Sequence, residues 1–160
     1  MFANHLDGTW SDQETQWAVA AATRASERHI KVPIASVCAG MEQHWRQYSG
    51  FWQAQAMTIS NTINGMGYVW IGGHSGLETR LVGEVMQATL EIQDPAEADI
   101  LMNKVFAKRN EETAKHLASG VGPRNFVDAY DCEKCEPKQG LIDDYNRVKD
   151  ELRAMGLKAL

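Results

Sequence analysis

The stretch GYVWIGGHSGLETRLVGEVMQATLEI, residues 67–92, carries the pattern that decides the fold. Its first five residues are mainly aromatic and β-branched, which predicts a short strand, and glycines follow. Ser75 with Glu78 three residues later forms a capping box, which is typical of the first turn of a helix. Apolar residues then recur at helical spacing: Leu77, Leu81, Val85, Ala88 and Ile92. The stretch therefore predicts a strand, a glycine turn and a helix in that order.

The same order of elements occurs once more upstream. Residues 30–39 (IKVPIASVCA) are rich in β-branched residues and predict a buried strand, although Pro33 is unfavourable in its middle. Residues 50–64 have apolar side chains every three to four positions and predict a helix that ends at Asn64-Gly65. A strand, a helix and a second strand in this order indicate parallel strands joined by a right-handed crossover.

The beginning of the chain predicts a helix and an incomplete strand. Ser11 and Glu14 form a capping box, and a helix is expected from about Asp12 to Glu27. A further strand is expected at residues 2–6. The helix is predicted from apolar residues at helical spacing: Trp17, Ala20, Ala21 and Ala25.

The second half of the chain predicts helices. Asp94-Pro95 combines a capping residue with a first-turn proline, and the helix that they begin should reach about Leu117. Residues 120–139 contain glycines and prolines and predict an extended loop. The last helix should end at Gly156 and is predicted from an apolar stripe: Leu141, Tyr145, Val148, Leu152 and Met155. The fold class is therefore α/β, with residues 94–160 forming a helical extension of residues 1–93.

Composition and charge exclude several classes of function. The 160 residues carry a formal net charge of −5 and no long basic run, so we expect no nucleic-acid partner. Since no apolar stretch approaches the roughly 20 residues that cross a bilayer, we expect no membrane span. The N-terminus lacks a basic segment followed by an apolar one. Three cysteines without a disulfide-scaffold spacing suit a reducing compartment, and we expect a cytoplasmic protein.

Several blocks of the sequence, in this order, resemble the corrinoid-dependent monomethylamine methyltransferase family. They are HLDG at residues 5–8, CAG at 38–40, SGLETRLVGEVMQAT at 75–89 and YNRVKDELRAMGL at 145–157. The resemblance covers nearly the whole chain but only about the last third of such an enzyme. It implies that residues 1–93 are the last βα units of a (β/α)8 barrel of the TIM type and that residues 94–160 are its C-terminal extension.

The resemblance also implies a reaction and its partners. In that family a pyrrolysine imine captures methylamine, and the methyl group passes to Co(I) of a separate corrinoid protein during methanogenesis. The pyrrolysine lies upstream of the part that this chain matches, so no residue here inherits its role. The chain is expected to bind no cofactor directly. Its expected partners are a corrinoid protein, methylamine, and either the N-terminal portion of the barrel or further copies of itself.

Candidate site residues follow the two predicted strands, where α/β folds place their ligands. Glu42 and Gln43 lie after the first strand, near the position of a glutamine that lines the family's site, although an exposed carboxylate is commonly only solvated. After the second strand His74 is the best functional candidate. Gly72, Gly73 and Ser75 could hold an anion at the helix N-terminus. The alternative is that the glycines permit a tight turn and Ser75 caps the helix.

Cys132 and Cys135 form an isolated CxxC pair. Zinc would need two further ligands, and a redox pair of the thioredoxin type would place its first cysteine at a helix start. We therefore interpret the two residues as incidental loop thiols and predict no metal site. A second hypothesis for the whole chain remains open, in which it is a non-catalytic α/β module that binds a partner through an exposed strand edge.

Overall fold

The computed structural model describes residues 11–30, 35–39, 44–66, 68–72 and 74–160 of the protein. For residues 35–39 and 68–72 the description is confined to the backbone. Ten elements occur in these ranges, in the order α1 (Gln13–Ile30), β1 (Ala35–Ala39), α2 (Tyr48–Ile63), β2 (Tyr68–Gly72), α3 (Gly76–Leu90), α4 (Pro95–Ser119), α5 (Phe126–Ala129), β3 (Tyr130–Asp131), β4 (Glu136–Pro137) and α6 (Gln139–Met155). No helix in the described ranges is long and apolar enough to span a membrane.

Strands β1 and β2 form a parallel pair, which confirms the predicted crossover through α2. The register runs from Ala35 opposite Tyr68 to Ala39 opposite Gly72, so both strands end at the same edge. Ile30 is the last residue of α1, so the prediction of a strand beginning there is wrong. Residues 31–34 and the predicted strand at residues 2–6 lie outside the described residues. Most of the described chain is helical, and its parallel sheet has two strands.

Helix α2 lies at the centre of the molecule. It packs against α3, α4 and α6, and its residues 49–62 are all buried. Trp52 and Ile59 have no exposed surface. One hydrophobic cluster joins them to Leu81 of α3, Leu101 of α4 and Leu152 of α6. The core is therefore continuous across the predicted boundary between residues 93 and 94.

Helix α1 begins and faces differently from the prediction. The Asp12 side chain accepts the backbone N–H of Thr15 at 2.7 Å, so Asp12 caps the helix. The Ser11 hydroxyl instead accepts two N–H groups of Arg109, and the predicted Ser11–Glu14 capping box is wrong. The apolar stripe from which the helix was predicted is exposed at Trp17, whose surface is 73% accessible.

The segment between α4 and α6 contains more structure than the extended loop that was predicted. Tyr130 pairs with Pro137, and Asp131 pairs with Glu136, in a small antiparallel hairpin. The Lys138 N–H donates to the Ala129 carbonyl at 2.8 Å and closes its base. The sequence offered little signal for this hairpin, because each of its strands has only two residues and Pro137 is one of the two in β4.

The two helices that were predicted in the second half are confirmed. Asp94 accepts the N–H of Ala96 at 2.9 Å, Pro95 is the first residue of α4, and Gly120 ends that helix in the left-handed conformation. Helix α6 ends before Gly156, whose φ of 125° also suits glycine. Its predicted stripe faces the core through four buried side chains: Leu141, Tyr145, Val148 and Leu152.

Candidate functional site

The carboxyl ends of β1 and β2 define the edge where the candidate residues were expected. Gly72 is the last residue of β2 and lies opposite Ala39 at the end of β1. His74 and Ser75 precede α3, and Ser75 is the N-cap residue of that helix. The candidates Glu42, Gln43 and Gly73 lie outside the described residues.

A buried carboxylate organises this edge. Glu78 in the first turn of α3 has no exposed surface. One of its oxygens, Oε2, accepts the backbone N–H of Ser75 at 2.7 Å, and the other, Oε1, accepts the backbone N–H of Arg46 at 2.9 Å. The predicted capping interaction of Glu78 is therefore present. The same carboxylate also ties the turn after β2 to the turn before α2.

His74 lies beside this carboxylate. Its ring Nδ1 is 3.6 Å from Oε1 of Glu78, and both side chains are fully buried. Burial by itself raises the pKa of Glu78, but His74 and the N–H groups of Ser75 and Arg46 outweigh it, so the pKa lies below its usual value. The Glu78 carboxylate is therefore ionised at neutral pH. The contact places the His74 ring beside a buried, ionised carboxylate.

The first turn of α3 uses its N–H groups inside the protein. Ser75 donates to Glu78, and the Leu77 N–H donates to the phenol oxygen of Tyr130 at 2.9 Å. Glu78 also places a negative charge where an anion would have to bind, and like charges repel there. Ser75 is the N-cap residue of α3, and its use in holding an anion stays a prediction.

The turn from His44 to Gly50 approaches Glu78 through a tight backbone path. A Cβ at Gly50 would lie 2.1 Å from the His44 carbonyl oxygen, so only glycine fits. Arg46 has a φ of 57°, in the left-handed region that few non-glycine residues adopt. Its side-chain Nε donates to the Arg124 carbonyl at 2.6 Å and fastens the segment after α4 to this turn.

A second buried group lies in the same turn. His44 has no exposed surface, and its Nδ1 is 2.8 Å from the Ser49 hydroxyl. Its ring centroid is 4.3 Å from that of His116. Burial, followed by the charges of His116 and Arg109, lowers the pKa of His44 to about 4, so this ring is neutral at pH 7. A cavity of about 210 Å³ lies beside it, lined in part by Ser49 and His116.

The sequence predicted part of this site and missed the rest. The pattern Ser-x-x-Glu after a strand predicted the link between Ser75 and Glu78. Nothing in the sequence indicated that Arg46 would reach the same carboxylate, because that contact depends on a left-handed residue 32 positions away. Cys132 and Cys135 lie apart from these residues, exposed at the tip of the β3–β4 hairpin. Among the residues that the structure describes, no group of three or more side chains could hold a metal ion.

Comparison with known proteins connects this geometry to an enzyme fold. No family model and no curated protein matches the sequence. The solved structures that match include the crystal structure of Methanosarcina barkeri monomethylamine methyltransferase and that of its hydroxylamine complex. Each is 19% identical with a TM-score of 0.72, and each alignment covers 92% of this chain and 33% of the other.

The chain therefore spans about a third of the length of the structures that it matches. At 19% identity the match establishes a shared fold. It confirms, at the level of the fold, the resemblance to monomethylamine methyltransferase that the sequence blocks predicted.

Proposed function

We propose that this chain forms one sector of a methyltransferase that moves a methyl group from monomethylamine to a cytoplasmic corrinoid protein. The observation that carries the proposal is the fold match over 92% of the chain, which agrees with the resemblance of the ordered sequence blocks. Residues 1–93 would then be the last βα units of a (β/α)8 barrel, and residues 94–160 its helical extension. In such barrels the reaction takes place at the carboxyl ends of the strands, where His74 lies.

The residues of this chain would shape and polarise one side of the reaction site. The corrinoid, carried by its own protein, supplies the methyl acceptor, and the pyrrolysine of the remaining barrel holds the amine. Glu78 fixes His74 through the contact at 3.6 Å, and we assign His74 to proton transfer at the amine nitrogen. Glu42 and Gln43 remain candidates for contact with the amine, since they follow β1 in the sequence.

The test is methyl transfer measured as the visible-spectrum change from Co(I) to methyl-Co(III) under anaerobic conditions. This chain alone should give no transfer, because no standard side chain in it makes the amine nitrogen a leaving group. Adding a pyrrolysine-bearing N-terminal portion of the barrel should restore transfer. Turnover by the chain alone, or failure of every reconstitution, would contradict the proposal.

A matched pair of histidine variants tests the assignment of His74. In the reconstituted system His74→Ala should lower kcat/KM by about 100-fold, the lower end of the usual effect of a general acid or base. His29→Ala removes an exposed histidine from the end of α1 and should leave kcat/KM unchanged. Equal rates for the two variants would remove His74 from the mechanism while leaving the barrel proposal intact.

The second candidate function is a non-catalytic module that binds a partner through an exposed strand edge. Among the described residues β1 and β2 pair only with each other, which leaves one edge of each available. Light scattering after size exclusion separates the candidates. A barrel sector should self-associate with increasing concentration because it carries open edges, whereas a monomer with a cooperative melt would favour the stand-alone module.

A further inference from the structure

The β3–β4 hairpin presents the CxxC pair in a defined turn. Asp131 pairs with Glu136, so the four residues Cys132–Cys135 form the connecting loop. The Asp131 carboxylate accepts the N–H groups of Glu133 at 3.1 Å and of Lys134 at 3.2 Å. These two bonds hold the chain reversal in place. The two cysteines are therefore brought together by the hairpin itself.

The two cysteines lie on the surface, and the Cys135 thiol points back toward the backbone of Cys132. Both cysteines are exposed, and neither forms a disulfide in the structure. Cys135 has a φ of 57°, and its Sγ lies 3.9 Å from the carbonyl oxygen of Cys132. A left-handed backbone is uncommon for cysteine, and here it directs the Cys135 side chain back across the loop. The sequence alone could not show this arrangement, because the CxxC spacing specifies neither the hairpin turn nor the left-handed backbone of Cys135.

We propose that Cys132 and Cys135 are a reversible dithiol site that reacts with low-molecular-weight disulfides such as glutathione disulfide. The thiolate of one cysteine attacks a sulfur of that disulfide, forming a mixed disulfide and releasing one thiolate. The thiolate of the other cysteine then attacks the protein sulfur of the mixed disulfide and releases the second small thiolate. Both cysteine protons pass to solvent or to the released thiolates. Two cysteines are oxidised to one disulfide, and one small disulfide is reduced to two thiols.

A metal site is the less favoured use of the same pair. Stable zinc binding requires four ligands, and the described residues offer no group of three metal-ligating side chains. Intramolecular closure needs only the two sulfurs. The second step should be fast relative to attack by another molecule, because both cysteines lie in the same four-residue loop and the step is intramolecular.

Closure of this disulfide has a structural consequence away from the loop. Tyr130 begins β3, its ring stacks on Phe126 with centroids 4.7 Å apart, and its hydroxyl accepts the Leu77 N–H of α3 at 2.9 Å. The hairpin thereby holds the first turn of the helix that carries Glu78. A cross-link between Cys132 and Cys135 restrains the hairpin from opening, so it also protects the Leu77 amide from exchange with solvent.

The experiment incubates the reduced full chain with glutathione disulfide and follows its mass. The wild-type chain should lose two hydrogens, with peptide mapping that places the disulfide between Cys132 and Cys135 and leaves Cys38 reduced. Cys132→Ser and Cys135→Ser should each stop at a glutathione adduct. In the oxidised wild type the Leu77 amide should exchange more slowly, on the order of tenfold. Tyr130→Phe should still form the disulfide but lose the slower exchange at Leu77.

Three results would overturn the proposal. One is a stable glutathione adduct on the wild-type chain, which would show that the second thiol cannot reach the first. Another is a disulfide formed only between chains. The third is zinc retained in the purified protein and released when either cysteine is replaced, which would make the pair a metal ligand instead.

Discussion

Helices α1 and α6 have nearly equal length but opposite relations to the core. The 17-residue α6 buries four residues of its apolar stripe, including Val148 and Leu152. The 18-residue α1 buries Gln16 and Thr23 and leaves Trp17 73% exposed. Helix α6 therefore completes its packing within this chain, whereas α1 turns an apolar side chain outward.

Charged contacts reinforce the difference. On α3, Glu84 accepts hydrogen bonds from Tyr145 and Lys149 of α6. On the other side of α6, Glu151 accepts the Tyr48 hydroxyl at 2.6 Å and pairs with Lys108 at 3.2 Å. Helix α6 is thus joined to α2, α3 and α4. Two side-chain hydrogen bonds from α1 to other elements are longer: Gln13 donates to Asn103 and Arg24 donates to the Ile63 carbonyl, each at 3.4 Å.

The largest effect is expected where the apolar face is buried. Leu152→Ala should lower the free energy of unfolding by about 3 kcal/mol, because Leu152 has no exposed surface and the substitution leaves a cavity against α2 and α3. Trp17→Ala removes a larger side chain from α1 and should change the free energy of unfolding by less than about 0.5 kcal/mol. Urea unfolding at low protein concentration measures both.

The comparison between the helices depends on this contrast. A cost for Trp17→Ala as large as that for Leu152→Ala would show that the outer face of α1 is packed in solution. The concentration dependence of unfolding would then show whether a second copy of the chain covers it.

A smaller effect is expected from the charged contacts of α6, and it depends on pH. Partial burial alone raises the pKa of Glu84, but hydrogen bonds from Lys149, Tyr145 and Arg80 outweigh it and lower the pKa to about 2. A lowered carboxyl pKa stabilises the folded state fully above the ordinary value near 4.5 and loses that contribution as the pH falls toward 2.

Glu84→Gln should therefore cost about 1 kcal/mol at pH 7, a modest value because the side chain is partly exposed and solvent screens its ion pairs. The difference between variant and wild type should shrink between pH 4.5 and pH 2. Glu91→Gln, on the exposed end of the same helix, is the control. A pH-independent effect of Glu84→Gln would mean that packing, rather than charge, joins α3 to α6.

The contrast between α6 and α1 also shows what could be predicted from the sequence. The stripe of α6 and the cap at Asp94-Pro95 are local patterns, and local patterns decided both elements. The helical spacing of α1 was also recognised, but its orientation was not. Periodicity shows that a helix has an apolar face, while the partner that covers that face is a property of the whole fold.

The candidate site shows the same limit. The Ser75–Glu78 pair was predicted because its residues are three positions apart. The Arg46 N–H, the Tyr130 hydroxyl and the His44–His116 contact come from distant parts of the chain. Burial of many polar residues in α2, including Gln53 and Gln55, was equally unpredictable, because the sequence there reads as an amphipathic helix and the fold encloses every side of it.

The smallest effect on the free energy of unfolding is expected from the two cysteines of the β3–β4 hairpin. Their substitution shows how little the unfolding free energy changes when exposed side chains are replaced. In the reduced protein the double change of Cys132 and Cys135 to serine should alter the free energy of unfolding by less than about 0.5 kcal/mol. Both side chains are exposed, and the turn is held by Asp131 through its bonds to Glu133 and Lys134, which serine leaves intact.

Metal content measured on the wild type and on the double cysteine-to-serine variant should be equal and far below one ion per chain.

The change in unfolding free energy caused by Trp17→Ala can be compared with that caused by the cysteine changes, since both alter exposed side chains on different parts of the chain. If Trp17→Ala costs clearly more than the cysteine change, the outer face of α1 is in contact with something in solution. Loss of stability together with loss of bound zinc in the cysteine variant would instead show that the hairpin is a structural metal site.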